Sequence, residues 1–284
     1  MNSLLKISAF KDISAFVLTQ LAQESNIALE VKLDIKYVKN ADEAHQDLIQ
    51  RKSDIVLMSY DDTLSIALKH HFSEILALLP IHGGILDLCG HINIAGNQKN
   101  IGIDTDSGYA RALRFYLKIK YSPKDYERLT WVKAGATNLR YEQLKAGSID
   151  ATLLNPPFSY LCSGDRDPGF QDFLGDYQGV VLNIHKTMLQ DGKRKGLLSQ
   201  FIEDYKKIIQ KMESDSEETI KLLAQYYDIG PEDAVKIYTR LWQPNGLNTT
   251  FRFQDSALTA TEKIFSQDTH ISVPRDRHWI LNYG

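Results

Sequence analysis

Four polar turns in the sequence carry side chains suited to holding a small polar molecule. Each turn follows an apolar stretch that predicts a strand and precedes a stretch that predicts a helix. In open α/β sheets, ligands bind beyond the carboxyl ends of strands, where the free N–H groups of helix starts converge. The turns span 10–12, 59–61, 105–109 and 155–157, and their candidate ligand-binding residues are Lys11, Asp12, Ser59, Tyr60, Asp61, Asp106, Ser107, Gly108, Tyr109, Asn155 and Pro156.

The turn at 106–108 has the composition of a clamp for an oxyanion or another polar group. Asp106 or Ser107 at a helix N-cap bonds the free amides of the first turn, and Gly108 lets a ligand approach the backbone. A plain helix cap explains the same residues. The carboxylate of Asp106 disfavours a fully anionic ligand unless Lys11 or a bound cation offsets its charge. This argues against nitrate or sulfate and favours a zwitterion or a neutral heterocycle.

The other candidates also have two interpretations each. Tyr60 and Tyr109 could stack on a flat ring, or they could pack inside a core. Asp12 and Asp61 could accept hydrogen bonds from an ammonium group or an aminopyrimidine, or they could cap their own helices. His82, in a predicted hinge, is a further ligand-binding candidate whose alternative role is a structural hydrogen bond.

The elements that position these turns alternate between strand and helix patterns. Apolar alternation predicts strands at 4–10 and 29–38, and a short apolar run predicts a buried strand at 54–58. Helices are predicted at 13–23 and 40–52, the second with Asn40 as its N-cap. Strands separated by helices of this length are typical of βαβ units and a parallel sheet.

A weak internal repeat indicates that this unit occurs twice. The stretches 48–60 and 144–156 share one pattern: a helix end, a tight turn, an aspartate (Asp54 or Asp150) and an apolar strand. The flexible segment at 80–84 predicts the crossing from one half to the other, and a strand at 179–184 lies near the predicted return. We therefore expect a first lobe of residues 1–82 and 185–284, a second lobe of residues 83–184, and a ligand cleft between them.

The composition excludes several classes of protein. The 284 residues carry 33 Lys+Arg and 36 Asp+Glu, a net charge of −3, so no basic stripe predicts a nucleic-acid partner. No apolar run approaches the roughly 20 residues that span a bilayer. Cys89 and Cys162 fit no metal spacing, and no cofactor or metal site is predicted. The first residues show no export leader, which indicates either a cytoplasmic protein or a mature form whose leader was removed.

Three runs give the chain a resemblance to a known family. The run 54–61 (DIVLMSYD) resembles a first-lobe turn, and 101–110 (IGIDTDSGYA) resembles a second-lobe strand, turn and helix start. The run 147–158 (GSIDATLLNPPF) resembles the G-x-x-D-A-x-L-x-x-P-P pattern. Together they are similar to type II periplasmic substrate-binding proteins, in the branch that takes up nitrate, sulfonates and thiamin-pyrimidine precursors.

The resemblance implies both an architecture and a function. The fold would be α/β, with two Rossmann-like lobes joined by two crossing segments and a helical C-terminal region. The protein would clamp a small polar or heterocyclic molecule for ABC-type uptake, with an ABC permease as its partner. Members of this family are exported, which implies a periplasmic or lipid-tethered location outside the cytoplasm.

Two alternatives remain at this stage. One is a cytoplasmic enzyme on the same fold, similar to menaquinone-pathway enzymes, aromatic desulfinases or the pyrimidine synthase of thiamin biosynthesis, whose cysteine cluster is absent here. Its candidate groups would be His82 as acid or base and Cys89 or Cys162 as nucleophile. The other is an effector-sensing domain, although no helix-turn-helix segment precedes the first strand. No paired carboxylates or nucleophile–base arrangement stands out, so binding is favoured over catalysis.

Overall fold

Two lobes, each built on a five-stranded mixed sheet, make up the protein in a computed structural model. The structure describes residues 3–28, 31–91, 98–162, 165–167 and 169–283. In chain order the strands are β1 (Ser3–Ala9), β2 (Val31–Tyr37), β3 (Ile55–Ser59), β4 (Ile75–Pro80), β5 (Asp87–Gly90), β6 (Lys99–Ile103), β7 (Leu129–Lys133), β8 (Ala151–Leu154), β9 (Arg166–Asp167) and β10 (Val180–His185). The first lobe holds the sheet β2-β1-β3-β10-β4, and the second holds β7-β6-β8-β5-β9.

The two sheets have the same topology. In the first, β1 is parallel to β2 and β3, while β10 is antiparallel to β3 and β4. In the second, β6 is parallel to β7 and β8, while β5 is antiparallel to β8 and β9. In each sheet the antiparallel inner strand is the one that arrives directly from the other lobe. This confirms the predicted pair of α/β lobes.

Helices cover these sheets and enclose apolar cores. In chain order they are α1 (Ile13–Ala28), α2 (Ala41–Ile49), α3 (Tyr60–Leu64), α4 (Gly108–Lys120), α5 (Pro123–Tyr126), α6 (Thr137–Lys145), α7 (Phe158–Leu161), α8 (Gly169–Leu174), α9 (Gly192–Ser214), α10 (Ser216–Tyr227), α11 (Pro231–Leu241) and α12 (Asp255–Thr269). A π-helical turn follows α3, and a 3₁₀ turn precedes α9. At the start of α2, the side chain of Asn40 accepts a hydrogen bond from the Glu43 amide at 2.9 Å, as predicted. None of the helices in the described ranges is long and apolar enough to cross a membrane.

The repeated aspartates have the same structural role in both lobes. Asp54 accepts a hydrogen bond from the Lys6 amide at 3.0 Å, and Asp150 accepts one from the Asn100 amide at 2.7 Å. Each aspartate thereby joins the turn before a strand to the neighbouring parallel strand. The sequence repeat therefore reflects a repeated connection between strands, β1 with β3 and β6 with β8.

Two crossing segments connect the lobes and lie against each other. The first runs from β4 to β5 and the second leads into β10, and an antiparallel bridge joins them between Gly83 and Gln178. A Cβ atom on Gly179 would stand 2.0 Å from the Gly83 carbonyl oxygen. Only glycine therefore lets the two segments approach this closely.

One strand lies in a different lobe from the one predicted. The predicted second lobe, 83–184, includes most of β10, but this strand pairs with β3 and β4 in the first sheet. The chain therefore returns to the first lobe before Val180, because β10 lies between β3 and β4 and joins them into one sheet. The remaining division, 1–82 and 185–284 around the second lobe, stays a prediction.

The C-terminal helices divide between the lobes. Helices α9, α10 and α11 bury Leu198, Leu223 and Ile237 in the same apolar core as β1 and α1, as expected for helices that pack back on the first lobe. Helix α12 differs, because it contacts both α3 and α4. Phe265 belongs to a first-lobe core and Ile264 to the second-lobe core.

Candidate ligand-binding site

A cavity lies where the strand ends of the two sheets face each other. Its volume is about 40 Å³, which is room for about three water molecules. The first lobe contributes the turns after β1 and β3, and the second contributes the turns after β6, β7 and β8. The lining residues are Phe10, Asp12, Ser59, Asp62, Gly102, Ile103, Asp104, Ser107, Tyr109, Ala110, Leu113, Thr137, Arg140, Leu153, Asn155 and Val180.

Five of the predicted residues line this cavity: Asp12, Ser59, Ser107, Tyr109 and Asn155. Ser107 occupies the N-cap position of α4, yet its side chain makes no capping hydrogen bond. The hydroxyl of Tyr109 is buried without a hydrogen-bond partner. The amide of Asn155 donates to a carbonyl of the first crossing segment at 3.0 Å. Their contact with a ligand stays a prediction.

Three predicted residues do not line the cavity and have other surroundings. Tyr60 is fully buried, and its hydroxyl donates to Glu262 at 2.8 Å and accepts from the Trp279 indole at 3.0 Å. It is a core residue, the alternative considered for the tyrosines. Lys11 is exposed, and Pro156 is buried beside the cavity without lining it.

Three more predicted residues take part in contacts outside the cavity lining. The carboxylate of Asp61 forms a buried ion pair with Arg111 of α4, which ties the two lobes together. Burial raises the pKa of Asp61 to about 7, and the Arg111 guanidinium opposes that rise. A Cβ atom on Gly108 would stand 2.5 Å from Asp61 Cβ, so this glycine makes room for the other lobe. Asp106 is exposed and pairs with Arg114 at 3.1 Å.

The groups considered for catalysis do not line the cavity. His82 and Cys89 are buried, and Cys162 is half-buried. His82 is fully buried in the first crossing segment, and its Nδ1 lies 2.7 Å from the Gly83 carbonyl oxygen. Burial lowers the pKa of His82. The pKa of Cys89 is raised by its contact with Cys162 and by burial, which disfavours the thiolate form that acts as a nucleophile. His82 thus makes the structural hydrogen bond that was its alternative role, and its contact with a ligand stays a prediction.

Three carboxylates line the cavity in different states. Burial raises the pKa of Asp12, and it raises the pKa of Asp104 to about 6. Burial alone would also raise the pKa of Asp62, but hydrogen bonds from His45 and Ser59 lower it below its usual value. Both oxygens of Asp62 thus have partners, at 3.1 Å and 2.6 Å. The Oδ1 atom of Asp104, by contrast, is buried without a partner.

The sequence reasoning missed two of the charged lining residues on the second lobe, Asp104 and Arg140. Arg140 is 5% exposed, and its guanidinium donates to the carbonyls of Leu153 and Gly135. It lies on α6, directly after β7. The signal was available, because the run at 129–133 (LTWVK) has strand character and ends at a turn beginning Ala-Gly-Ala-Thr. A fifth strand-to-helix turn could therefore have been predicted.

Direct contacts hold the lobes together around the cavity. Besides the pair of Asp61 and Arg111, the carboxylate of Asp104 accepts a hydrogen bond from the Ala41 amide at 3.1 Å. The Ala136 amide donates to a carbonyl of the first lobe at 2.9 Å. These contacts join the start of α2 to the turns after β6 and β7. The structure is therefore that of lobes closed on one another.

Solved structures similar to the chain share its whole architecture. A ligand-binding component of an ABC-type import system from Staphylococcus aureus, solved with zinc bound, is 16% identical with a TM-score of 0.76, covering 99% of this chain and 97% of that one. The alkanesulfonate-binding protein SsuA from Xanthomonas axonopodis pv. citri, bound to MOPS, is 15% identical with a TM-score of 0.69 and 99% coverage of both chains. Within the described part of this chain, no group of three or more His, Cys, Asp or Glu side chains could hold a metal ion.

A third structure is described by its fold alone. A Candida albicans gene product with the generic periplasmic-binding-protein fold is 12% identical with a TM-score of 0.72, covering 98% of this chain and 96% of that one. No protein-family model matches the sequence, and no curated protein matches it. At these identities the likeness concerns the fold, and it agrees with the paired sheets and the cleft between them. The chain has the two-lobed fold of the type II periplasmic binding proteins.

Proposed function

We propose that this protein binds a small polar solute between its lobes and presents it to an ABC-type importer outside the cytoplasm. The observation that carries the proposal is the cavity at the facing strand ends, where buried polar atoms of Asp104 and Tyr109 have no partner. Unpartnered buried polar atoms are costly in a folded protein unless something else bonds to them. A bound solute would supply those bonds.

The closed arrangement of the lobes also supports binding. In hinged proteins of this shape, a ligand that contacts both lobes favours the closed state by its higher affinity for that state. Here the cavity is lined from both lobes, and the crossing segments form the connection about which they could move. Two of the similar structures are named as a ligand-binding component of an importer and as an alkanesulfonate-binding protein. Their roles agree with uptake through a permease partner.

A binding experiment tests the proposal. Protein purified without denaturation is analysed by native mass spectrometry for a co-purified small molecule, and any compound found is titrated back by calorimetry. We expect one solute per chain, a smaller radius of gyration by X-ray scattering on binding, and recovery of the solute unchanged after prolonged incubation. Chemical conversion of the solute would contradict a binding role and favour an enzyme.

A matched pair of variants places the solute in the cavity. Ser107→Phe puts a ring into the cavity, and we expect it to weaken binding at least about 100-fold, because the bulky ring occupies the small space that the solute needs. Ser148→Phe makes the same change at an exposed position of the second lobe and should bind normally. Equal binding by both variants would contradict the site. Uptake of the labelled solute by cells that lack the protein should be restored by the wild type and by Ser148→Phe only.

A further inference from the structure

Arg140 is a buried guanidinium whose charge has no ion-pair partner among the described residues. It is 5% exposed and lines the cavity, yet its hydrogen bonds go to the main-chain oxygens of Leu153, at 3.1 and 3.2 Å, and Gly135, at 2.5 Å. These bonds use three of the five N–H groups of a guanidinium. A buried charge is costly unless an opposite charge and further hydrogen bonds compensate it. Arg140 is therefore suited to an anionic group from outside the chain, and a flat carboxylate matches its two remaining N–H groups.

Asp104 presents the complementary feature in the same cavity. Its Oδ2 accepts from the Ala41 amide, while its Oδ1 is buried without a partner. The hydroxyl of Tyr109, also buried and unpartnered, lines the same space. A buried carboxylate oxygen without a partner is suited to a donor such as a protonated amine, and the phenol hydroxyl offers a further polar contact in the same cavity.

Arg140 and Asp104 attract each other at longer range, and each favours the charged form of the other, but they are not directly paired. Arg140 and Asp104 both line the cavity, but they form no ion pair within 4.0 Å, although other pairs at the lobe junction do. Of the other lining carboxylates, Asp62 has partners for both oxygens. Asp12 accepts one amide hydrogen bond at 2.8 Å, as Asp104 does, but of the two only Asp104 has an oxygen that is buried without a partner. The cavity thus combines a guanidinium that has no direct ion-pair partner among the described residues with a carboxylate oxygen of Asp104 that is buried without a partner.

We propose that the solute is a small zwitterion, with its carboxylate on Arg140 and its protonated nitrogen on Asp104, and that the Tyr109 hydroxyl supplies a further hydrogen bond to it. This inference rests on the proposed function, since it names the chemical class of the solute that the closed lobes hold. A molecule with both charges compensates both groups at once, whereas a simple anion leaves Asp104 uncompensated and a simple cation leaves Arg140 so. The small cavity favours a short spacing between the two charged ends.

Calorimetry at pH 7.5 with four sets of probes tests the assignment. The sets are zwitterions (glycine, alanine, β-alanine, γ-aminobutyrate and glycine betaine), the related amines (methylamine to butylamine), the related acids (acetate to butyrate) and neutral compounds (acetamide, urea and 2-aminopyrimidine). We expect at least one zwitterion to bind at least about 100-fold more tightly than the amine and the acid of matching length, because each of these lacks one charged contact. An amine, acid or neutral compound that binds as tightly as the best zwitterion would overturn the assignment.

Variants test the two contacts separately. Arg140→Gln should weaken zwitterion binding about 30-fold or more while leaving amine binding unchanged, and Asp104→Asn should weaken zwitterion and amine binding alike. Arg140→Lys keeps the positive charge but removes the paired N–H groups of the guanidinium, and we expect an intermediate loss of zwitterion affinity. The matched controls Arg128→Gln and Asp125→Asn remove a surface pair of the same lobe and should leave binding unchanged. If Arg140→Gln does not fold, two measurements still test the assignment. One compares the binding of zwitterions, amines and acids by the wild-type protein, and the other uses the Asp104→Asn variant.

The outcomes distinguish this inference from the proposed function. A neutral probe that binds one-to-one, with Arg140→Gln unaffected, would overturn the zwitterion and leave the solute-binding function standing. Absence of binding by all four sets, together with absence of a co-purified solute, would contradict the proposed function and the zwitterion with it. A zwitterion that binds equally to Ser107→Phe would overturn the location of both.

Discussion

Two sets of opposite charges lie at the junction of the lobes, and they differ in whether they touch. Asp61 of the first lobe and Arg111 of the second form a fully buried ion pair. Asp104 and Arg140 line the cavity and make their hydrogen bonds to the main chain instead. The first pair can be explained by closure alone. The second leaves bonding capacity unused inside the closed protein.

The difference separates a structural contact from a recognition contact. When one partner of a buried ion pair with good geometry is removed, the free energy of unfolding of the protein falls by several kcal/mol, because the other charge is left buried alone. Replacing a group that already lacks a partner lowers the stability of the protein much less, and replacing a buried unpaired charge can raise it. We therefore expect variants of the first pair to alter stability and variants of the second to alter binding.

The largest expected effect is that of Arg111→Met. It leaves the carboxylate of Asp61 buried without its counter-charge, and we expect the free energy of unfolding to fall by about 3–5 kcal/mol. Urea unfolding monitored by circular dichroism measures this. The double variant Asp61→Leu/Arg111→Met should recover most of the loss, because no charge then remains buried. A loss below about 1 kcal/mol, the size expected for a surface pair such as Arg128 and Asp125, would contradict the comparison.

Gly108→Ala tests whether close approach of the lobes matters. Its Cβ atom would stand 2.5 Å from Asp61 Cβ and 2.9 Å from Ser59 Oγ, and overpacking of this kind costs about 1–3 kcal/mol. We expect the lobes to move apart, with a larger radius of gyration by X-ray scattering and weaker solute binding. Gly196→Ala is the control, because a Cβ atom there meets nothing within 4 Å inside α9. It should stabilise the protein by about 0.5–1 kcal/mol.

Asp104→Asn should change how stability depends on pH. Because burial raises the pKa of Asp104 from 3.8 to about 6, the folded protein keeps a proton there that the unfolded chain has released. The free energy of unfolding therefore falls as pH rises from about 4 to about 6. In the variant, this fall in the free energy of unfolding should be smaller by about 1–2 kcal/mol, after allowance for the partial exposure of Asp104. Urea unfolding from pH 4 to pH 7.5 measures it, and an unchanged slope would contradict the unpaired state of Asp104. Asp12 and Asp61, whose pKa values are also raised, contribute equally to both profiles.

The smallest expected effects are those of replacing Tyr60 and Tyr109 by phenylalanine, and they differ in whether stability or solute affinity changes. Tyr60→Phe removes the hydroxyl that joins Glu262 and Trp279, and we expect a loss of about 1 kcal/mol in stability with unchanged solute binding. Tyr109→Phe removes a hydroxyl without a partner, so solute affinity should fall while stability stays within about 0.5 kcal/mol of the wild type. The opposite pattern would show that the assignment of the cavity is wrong.

Much of the fold was predictable because local patterns and connectivity agree. Apolar strands spaced by helices indicated parallel sheets, and the repeated turns at Asp54 and Asp150 indicated two lobes. The lobe of β10 was not predictable in the same way. A short apolar strand near a crossing suits either sheet, and its pairing with β3 and β4 depends on contacts distant in sequence.

The candidate site was predictable only at the level of its turns. Position after a strand placed Ser59 and Asn155 at the cavity, but it also suggested Tyr60 and Asp61, whose side chains point to a core and to the other lobe. Which side of a turn a residue faces depends on packing that the sequence does not encode locally. Arg140 escaped notice because it lies one helical turn inside α6 rather than in the loop.

Helix α12 gives the lobes a third connection besides the two crossing segments. Its residues belong to cores on both sides, and Asp268 near its end pairs with Arg114 of the second lobe at 2.9 Å. Opening of the cleft must therefore displace the contacts of α12 as well as bend the two crossing segments. We therefore expect substitutions on α12 to change the dissociation rate of the solute, although they leave the residues that line the cavity unchanged.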